Sequence, residues 1–270
     1  MPVLECVVNI SEGRDDRIVA KIVERAGPAC VDHHSDPWHN RSVLTLLGSG
    51  VFDAALEVAR ATVELCDFTR HEGVHPAIGT VDVVPFVPIG SHGFGSSINL
   101  VEARAARDAF ITAIGDELGL PCFAYGPERS LPEVRRGAFG ILAPTNGLPT
   151  AHPTAGGCCV GARPSLVAYN IYLEAPDIRL ARSVATSIRS REVKALGLIV
   201  GGSVQVSCNL VAPWLVGPAE VVDMVSALAP VHHTELIGLI PEAALRVIAR
   251  SRWAELDVGP DRTIEARLPR

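Results

Sequence analysis

The sequence has no surplus of positive charge. Among its 270 residues, 24 Lys and Arg stand against 30 Asp and Glu, which gives a formal net charge of −6. Such a chain lacks the basic footprint of a nucleic-acid-binding protein. With 48% hydrophobic and 20% charged residues, the composition also excludes a disordered, collagen-like or coiled-coil chain. The sequence therefore predicts a folded globular protein that does not bind nucleic acid.

The sequence also lacks a disulfide framework. Its seven cysteines are odd in number, no Cys-x-x-Cys occurs, and only Cys158 and Cys159 are adjacent, so complete intramolecular pairing is excluded. The start, MPVLECVVNISEGR, lacks the basic flank, apolar stretch and cleavage site of a signal peptide. Because reduced cysteines are typical of the cytoplasm, we expect a cytoplasmic protein.

One long stretch lacks charge altogether. Ala195 to Ala219 contains no Asp, Glu, Lys or Arg, and its length would suffice for a membrane span. Gly201 and Gly202 interrupt the stretch, and polar residues recur at every second position from Gln205 to Asn209. This alternation is the periodicity of a strand. We therefore predict two buried strands joined by a Gly-Gly turn, and no membrane association.

The rest of the sequence alternates short apolar runs with longer amphipathic ones, as in α/β proteins. The first part predicts the order β-α-β-β-α-β-α-β, with strands Leu4–Ile10, Cys30–His34, Ser42–Gly48, Val81–Val87 and Pro121–Tyr125 and helices Asp15–Arg25, Phe52–Cys66 and Ser97–Leu118. From Gly137 to Pro164, glycines and prolines replace the periodicity. A structureless segment of this length is usually functional or a linker.

A second pattern follows this segment. It predicts strand Leu166–Leu173, helix Pro176–Arg189, the two strands around Gly201, helix Ala219–Leu228, strand Val231–Ile237 and helix Pro241–Ala249. The order β-α-β-β-α-β is ferredoxin-like. We therefore predict a mixed α/β (α+β) protein of two subdomains, residues 1–163 and 164–270, each a mixed β-sheet with helices packed on it. Ligands of such proteins favour the cleft between the domains.

Six of the nine histidines fall in loop-like segments of the first half. The run HEGVH at residues 71–75 matches the His-Glu-x-x-His pattern of zinc metallopeptidases, whose two histidines lie on one helix. Gly73 and the following Pro76 oppose a helix, and no third ligand follows at metzincin spacing, so we predict no metal. His75 instead leads into a buried strand from a loop, where an imidazole of near-neutral pKa suits proton transfer. The alternative for any single histidine is an ordinary hydrogen-bonded loop residue.

A second polar group lies in VDHHSDPWHNRSV, residues 31–43, between two predicted strands. By default Asp36 caps a turn. Arg41 leads directly into an apolar strand and offers a planar fork for a carboxylate. Arg14 and Arg163 are further loop arginines, for which surface ion pairing is the plain alternative.

Several motifs in register resemble the formiminotransferase family. In chain order they are Glu5-Cys6 with Asn9 and SEGR (11–14), DPxxNR (36–41), HEGVHPAIGTVDVVPFVPI (71–89), LPEVRRGAF (131–139), HPTAGGCCVGAR (152–163), VAYNIYL (167–173), VQVSCNL (204–210) and ELIGLIPEAAL (235–245). Because independent motifs keep the family's order over most of the chain, this resemblance is far more specific than the zinc pattern. It implies the N- and C-terminal formiminotransferase subdomains, without the cyclodeaminase domain fused to some members.

The resemblance implies a glutamate formimidoyltransferase, commonly a homodimer with a charged groove between its subdomains. Such enzymes transfer the formimino group of N-formimino-L-glutamate to tetrahydrofolate, a co-substrate, in histidine degradation. The family's catalytic histidine corresponds to His75. Its folate-contacting stretch corresponds to Gly147, Pro149, Thr150, His152, Pro153, Thr154 and Gly156. For the substrates we predict contacts from Asn9 and Asp36, with Arg41 and Arg163 as the cations that face their carboxylates.

The sequence departs from the family pattern at two positions beside His75. Val74 stands where the family usually has Glu, and Ala77 where it usually has Arg. Loss of a cation that faces a substrate carboxylate would change donor or acceptor binding. Two alternatives therefore stay open: a non-catalytic folate-binding protein, and a related formyl or formimino transferase with a changed substrate.

Overall fold

The computed structural model describes residues 3–89 and 100–268, which form two compact units. The first unit comprises residues 3–89 and 100–164, and the second comprises residues 165–268. Each unit combines one β-sheet with helices, which confirms the predicted mixed α/β class. Within the described ranges, none of the helices has the length and apolarity that a membrane crossing requires.

The first unit contains six strands and four α-helices among its described residues. They are β1 (Val3–Ile10), α1 (Asp16–Ala26), β2 (Cys30–Asp36), β3 (Arg41–Gly48), α2 (Val51–Leu65), β4 (Val81–Ile89), α3 (Val101–Leu118), β5 (Cys122–Tyr125), α4 (Leu131–Gly137) and β6 (Cys158–Ala162). The strand order is β2-β3-β1-β4-β6-β5. Pairing is antiparallel from β2 to β4 and parallel where β6 joins β4 and β5, so the sheet is mixed.

The first three helices cover one face of this sheet. Helix α1 begins at Asp15, whose carboxylate accepts hydrogen bonds from the amides of Arg17 and Ile18, and it buries Val19 and Ile22. Helices α1, α2 and α3 and alternate residues of five strands form one apolar core. A smaller cluster lies against the opposite face, where Val134 of α4 packs with four strand residues, Val83, Phe123, Tyr125 and Cys159. Helix α4 therefore packs on the face opposite α1, α2 and α3.

The prediction that residues 137–164 lack regular structure is wrong in part, because β6 lies within them. Strand β6 is central and buried at every position, and a parallel strand buried on both faces shows no alternation. Gly161 also made this strand hard to recognise, because a glycine suggests a loop. It is required by packing: a Cβ there would lie 2.1 Å from the Tyr125 ring, so only glycine fits. Helix α4 likewise received no prediction, since its seven residues are too short to show a period. The predicted helix Ser97–Leu118 corresponds to α3, and its residues 97–99 lie outside the described ranges.

The second unit has the predicted β-α-β-β-α-β order. Its elements are β7 (Val167–Leu173), α5 (Ile178–Ile188), β8 (Val193–Val200), β9 (Ser203–Leu210), α6 (Pro218–Ser226), β10 (Val231–Ile237), α7 (Glu242–Arg246) and α8 (Ile264–Arg267). The sheet order is β10-β7-β9-β8, antiparallel throughout. This confirms the ferredoxin-like prediction. Alternate strand residues such as Tyr169, Ile171 and Val206 are buried in the core formed with the helices.

The uncharged stretch forms β8 and β9, as predicted. Gly201 and Gly202 connect the two strands, with φ angles of 57° and 86°. Two successive positive φ values match a tight hairpin turn, whose twist suits antiparallel strands.

Candidate active site

A β-bulge sets the centre of the candidate site. In the pairing of β4 with β1, Val81 lies opposite Ile10 and Val83 lies opposite Asn9, so Asp82 is an extra residue in β4. Bulges re-aim side chains. Asp82 is only 1% exposed, and a buried carboxylate is costly unless it is paired.

Three partners satisfy the Asp82 carboxylate. Its Oδ1 accepts from the backbone amide of Ile78 at 3.0 Å. Its Oδ2 accepts from Nη1 of Arg41 at 3.3 Å and from Nη2 of Arg135. Arg41 comes from the start of β3 and Arg135 from α4, so one carboxylate joins two distant segments. Two guanidinium groups against one carboxylate leave a net charge of +1 in this cluster.

The Arg41 side chain is held on all its nitrogens. Its Nε and Nη2 donate to Oδ1 of Asn9 at 3.0 and 2.6 Å. The Asn9 amide is itself oriented, because its Nδ2 donates to the carbonyl of Val7 at 2.8 Å. The third nitrogen, Nη1, lies 2.7 Å from Nδ1 of His75. The structure thus brings together three residues predicted for the site, Asn9, Arg41 and His75.

The Nδ1 atom of half-buried His75 has a second neighbour, the carbonyl oxygen of Pro76 at 2.9 Å. A guanidinium can only donate, so the Arg41 contact requires an unprotonated Nδ1 and places the ring proton on Nε2. The Pro76 contact requires the opposite tautomer, with a hydrogen on Nδ1. The two contacts therefore compete for one nitrogen.

The electrostatic surroundings keep His75 neutral. Burial, followed by the charges of Arg41 and Arg135, lowers the pKa of His75 to about 2. The predicted near-neutral pKa is therefore wrong for this arrangement, because the sequence did not reveal two cations beside the ring. His39, whose ring centre lies 6.0 Å from that of His75, is also buried next to it.

Asp36 fixes the turn that precedes Arg41. Its Oδ1 accepts from the amides of Trp38 and His39, each at 2.7 Å. Asn40 adopts a positive φ of 47°, and its Oδ1 accepts from the amide of Gly13 at 3.1 Å. These bonds give Asp36 a structural role in the turn; its substrate-binding role stays a prediction.

The HEGVH segment is a loop and not a helix. Gly73 packs so tightly that a Cβ would lie 2.2 Å from the carbonyl oxygen of His39. His71 stacks on Phe68 with ring centres 5.4 Å apart, and its Nδ1 lies 3.3 Å from Nδ2 of Asn40. The two histidines therefore lack the one-turn helical spacing of a zinc peptidase. In the part of the chain that the structure describes, no three His, Cys, Asp or Glu side chains could hold a metal ion.

Part of the predicted folate-contacting stretch borders the His75 loop. The amide of Thr80 donates to the carbonyl of Ala155 at 2.9 Å, and the amide of Gly157 donates to that of Ile78 at 2.9 Å. His152 pairs with Gly156 through both backbone bonds, and its Nδ1 accepts from the amides of Thr154 and Ala155. The His152 ring is therefore oriented with its proton on Nε2.

Other predicted residues lie apart from this cluster or at the surface. Gly147 packs against Leu120, where a Cβ would lie 2.3 Å from the carbonyl oxygen. Arg163 follows β6. It lies four residues beyond Cys159, the residue that pairs with Val83 of β4, and four strand residues span about 13 Å. Its Nη1 donates to the carbonyl of Pro164 at 2.9 Å. Pro149, Thr150 and Pro153 are exposed.

Sequence reasoning assigned no role to Asp82 or Arg135. A signal for Asp82 was present, because it is the single charged residue in the apolar strand VDVVPFVPI, and fully buried carboxylates are almost always paired. Arg135 gave no comparable signal, since its neighbour Arg136 is also an arginine and their helix was not predicted.

The comparisons with known proteins agree with one another. A sequence model described as the formiminotransferase domain, N-terminal subdomain, matches residues 3–163. A glutamate formimidoyltransferase of Streptococcus pyogenes serotype M1 is 35% identical over 77% of both chains. Another from Thermoplasma acidophilum is 32% identical over 93% of this chain and 92% of its own. The formimidoyltransferase-cyclodeaminase of Sus scrofa is 31% identical over 90% of this chain, which spans 51% of that protein. The chain therefore belongs to the formiminotransferase family.

Proposed function

We propose that this protein is a glutamate formimidoyltransferase that moves the formimino group of N-formimino-L-glutamate to tetrahydrofolate. The observation that carries the proposal is the contact of His75 with Arg41 inside a cluster of net positive charge. The curated relatives named glutamate formimidoyltransferase support the same reaction. Both substrates carry carboxylates, and such a cluster suits an anionic ligand.

His75 is the residue that we assign to proton transfer. Tetrahydrofolate supplies a secondary amine, N5, as the nucleophile toward the formimino carbon. As the new carbon–nitrogen bond forms, His75 accepts the proton that this amine loses. It then returns the proton to the glutamate nitrogen, whose bond to the same carbon breaks. A positioned imidazole contributes about 10²- to 10⁴-fold to such a reaction.

The residues around the His75 loop fit a folate ligand. The segment from His152 to Gly156 is pinned to the start of β4 by the backbone bonds of Thr80 and Gly157, and the oriented His152 ring presents an N–H donor. A fixed loop of this kind can hold polar groups of a flat heterocycle. We assign to this loop the predicted folate contacts, and to Asn9 and Arg41 the donor contacts.

The decisive experiment is product detection with both substrates together. Purified protein mixed with N-formimino-L-glutamate and tetrahydrofolate should release glutamate and form 5-formiminotetrahydrofolate in equal amounts. Tetrahydrofolate binding without any product would contradict the proposal and favour a non-catalytic folate-binding protein.

A further inference from the structure

The positive charges of Arg41 and Arg135 are only partly neutralised, because the two arginines share one buried carboxylate. Arg41 and Arg135 both bind Oδ2 of Asp82, so their guanidinium groups converge on one point. Each arginine side chain is 16% exposed, whereas Asp82 is 1% exposed. Both arginine side chains therefore keep some contact with solvent, while their shared anion does not. A second carboxylate on the outer side would meet two cations and neutralise the net charge of the cluster.

The position of His75 decides which carboxylate this is. Arg41 touches the imidazole directly, at 2.7 Å, so any carboxylate on Arg41 lies close to the reacting atoms. In N-formimino-L-glutamate, the α-carboxylate is attached to the carbon that bears the formimino nitrogen. The γ-carboxylate lies two methylene groups further away. The carboxylates of tetrahydrofolate are separated from N5 by the whole p-aminobenzoyl group. The donor's α-carboxylate is therefore the carboxylate that the covalent geometry holds nearest to the formimino carbon, and hence nearest to Arg41 when that carbon lies beside His75.

A carboxylate bound to Arg41 also affects which ring nitrogen of His75 has an available lone pair. In the present arrangement, Arg41 donates to Nδ1 and the ring proton is on Nε2, so no lone pair faces a substrate. A carboxylate that accepts from Nη1 of Arg41 competes for the hydrogen that points at Nδ1. Nδ1 can then carry the ring proton and donate it to the carbonyl of Pro76, 2.9 Å away. Nε2 then has a free lone pair.

We infer that Arg41 and Arg135, held by the positioning residue Asp82, bind the α-carboxylate of the formimino donor and thereby release His75 to act through Nε2. This inference rests on the proposed function for the identity of the donor. The surroundings of the ring agree with it: burial, followed by the charges of Arg41, Arg135 and His39, lowers the pKa of His75, and an added carboxylate raises that pKa again.

Arg135→Met tests the subsite, with Arg136→Met as the matched control. Arg136 is the next residue on the same helix, is exposed, and carries the same charge. We expect Arg135→Met to raise the KM for N-formimino-L-glutamate about 30-fold, as expected for lost charged hydrogen bonds. The KM for tetrahydrofolate should change less than about 3-fold, and Arg136→Met should change neither. A selective rise in the KM for tetrahydrofolate would instead assign the arginines to the folate tail and overturn the inference.

Donor analogues separate the two carboxylates of the donor. N-formimino-4-aminobutyrate lacks the α-carboxylate, and N-formimino-2-aminobutyrate lacks the γ-carboxylate. The wild-type protein should prefer the second analogue, and Arg135→Met should reduce that preference at least 10-fold. An unchanged preference would contradict α-carboxylate binding. Because Arg135→Met could disturb the fold, Arg135→Lys provides a second variant, which keeps the charge beside Asp82 but loses the planar fork; we expect a smaller change in the same direction.

Nitrogen-15 NMR of the His75 ring gives a readout that does not depend on turnover. Glutamate and 2-aminobutyrate should shift the ring proton from Nε2 to Nδ1 in the wild-type protein, whereas 4-aminobutyrate should not. If this shift occurs but no formimino transfer is detected, the proposed function fails while the α-carboxylate subsite stands. If transfer occurs but glutamate leaves the tautomer unchanged, the inference fails while the proposed function stands.

Discussion

The two units carry different polar groups on the sheet faces opposite their main apolar cores. In the first unit, this face carries the charged cluster of Arg41 and Asp82. In the second unit, it carries the amides of Asn170 and Gln205, which are 7% and 0% exposed and alternate along their strands with core residues. Asn170 donates to Oε2 of Glu235 at 3.0 Å. The contrast indicates that anion binding belongs to the first sheet, whereas the buried polar side chains of the second sheet are neutral amides.

The two sheets also differ in how their strands pair. The second sheet pairs β7, β8 and β9 in regular antiparallel register and has a register shift in β10 between Val231 and His233, while the first has a bulge at Asp82 beside its charged cluster. A regular strand presents alternate residues to one face. The bulge instead lets Asp82 and the adjacent Val83 both leave the helix-covered core, which puts a carboxylate where two arginines can reach it. The bulge in β4 therefore places the carboxylate of the candidate site.

The strongest test of the contrast is His75→Ala, which should lower the rate of formimino transfer by about 10²- to 10⁴-fold, the usual contribution of a positioned acid–base group. Binding of tetrahydrofolate, measured by calorimetry, should persist because the loop from His152 to Gly156 is untouched. His33→Ala is the control, since His33 is an exposed histidine on β2 of the same unit. Near-normal turnover of His75→Ala would remove this residue from the proposed mechanism.

The next test compares the buried carboxylate of the first sheet with an acceptor of the second. Asp82→Asn leaves two guanidinium groups against a neutral amide, and breaking a buried charge cluster in this way costs about 3 to 5 kcal/mol of unfolding free energy. Glu235→Gln keeps an oxygen that can accept from Asn170, so it should cost less than about 1 kcal/mol. Urea unfolding of both variants measures the difference. Equal losses would mean that the two faces are energetically alike.

A pH experiment isolates the electrostatic surroundings of His75. In the folded protein the pKa of His75 is about 2, and in the unfolded chain it is about 6.5. Between these values the unfolded chain binds more protons, so this group's stabilising contribution is complete above about pH 6.5 and is lost as the pH falls. Between pH 8 and pH 5, the unfolding free energy of the wild-type protein should therefore fall by about 2 kcal/mol more than that of His75→Gln. Parallel stability curves for the two proteins would show that the ring titrates normally.

The same contrast explains what the sequence could predict about the fold. The β-α-β-β-α-β elements of the second unit were predicted, because antiparallel strands with one buried face alternate visibly, as Gln205, Ser207 and Asn209 do. Its four-residue helix α8 was not predicted. In the first unit β6 was missed, since it is buried on both faces and its Gly161 packs under the Tyr125 ring. Helix α4 was missed because it is a single short segment of seven residues.

For the site, the loop context singled out His75 and Arg41, and the resemblance supported His75, but the sequence did not reveal which groups surround them. The role of Asp82 depends on the register of β4 against β1, which is set by pairing over some seventy residues of sequence and has no local signature. The contact between Arg135 and Asp82 depends in turn on a helix that was not predicted. The low pKa of His75 follows first from burial and then from both arginines, so no argument from the loop alone could have given it.

The smallest effect is expected in the second sheet, at the tight turn between β8 and β9. Gly202 has a φ of 86°, and a Cβ there would meet nothing within 4 Å. Gly202→Ala should therefore cost only the conformational penalty of a left-handed residue, about 1 kcal/mol. Gly140→Ala is the control, since Gly140 lies in a turn of the first unit without a positive φ and has an open site; it should change stability by less than about 0.5 kcal/mol. Thermal unfolding of both variants measures the difference. A loss well above 1 kcal/mol for Gly202→Ala would mean that this turn has a role in the second unit beyond connecting two regular strands.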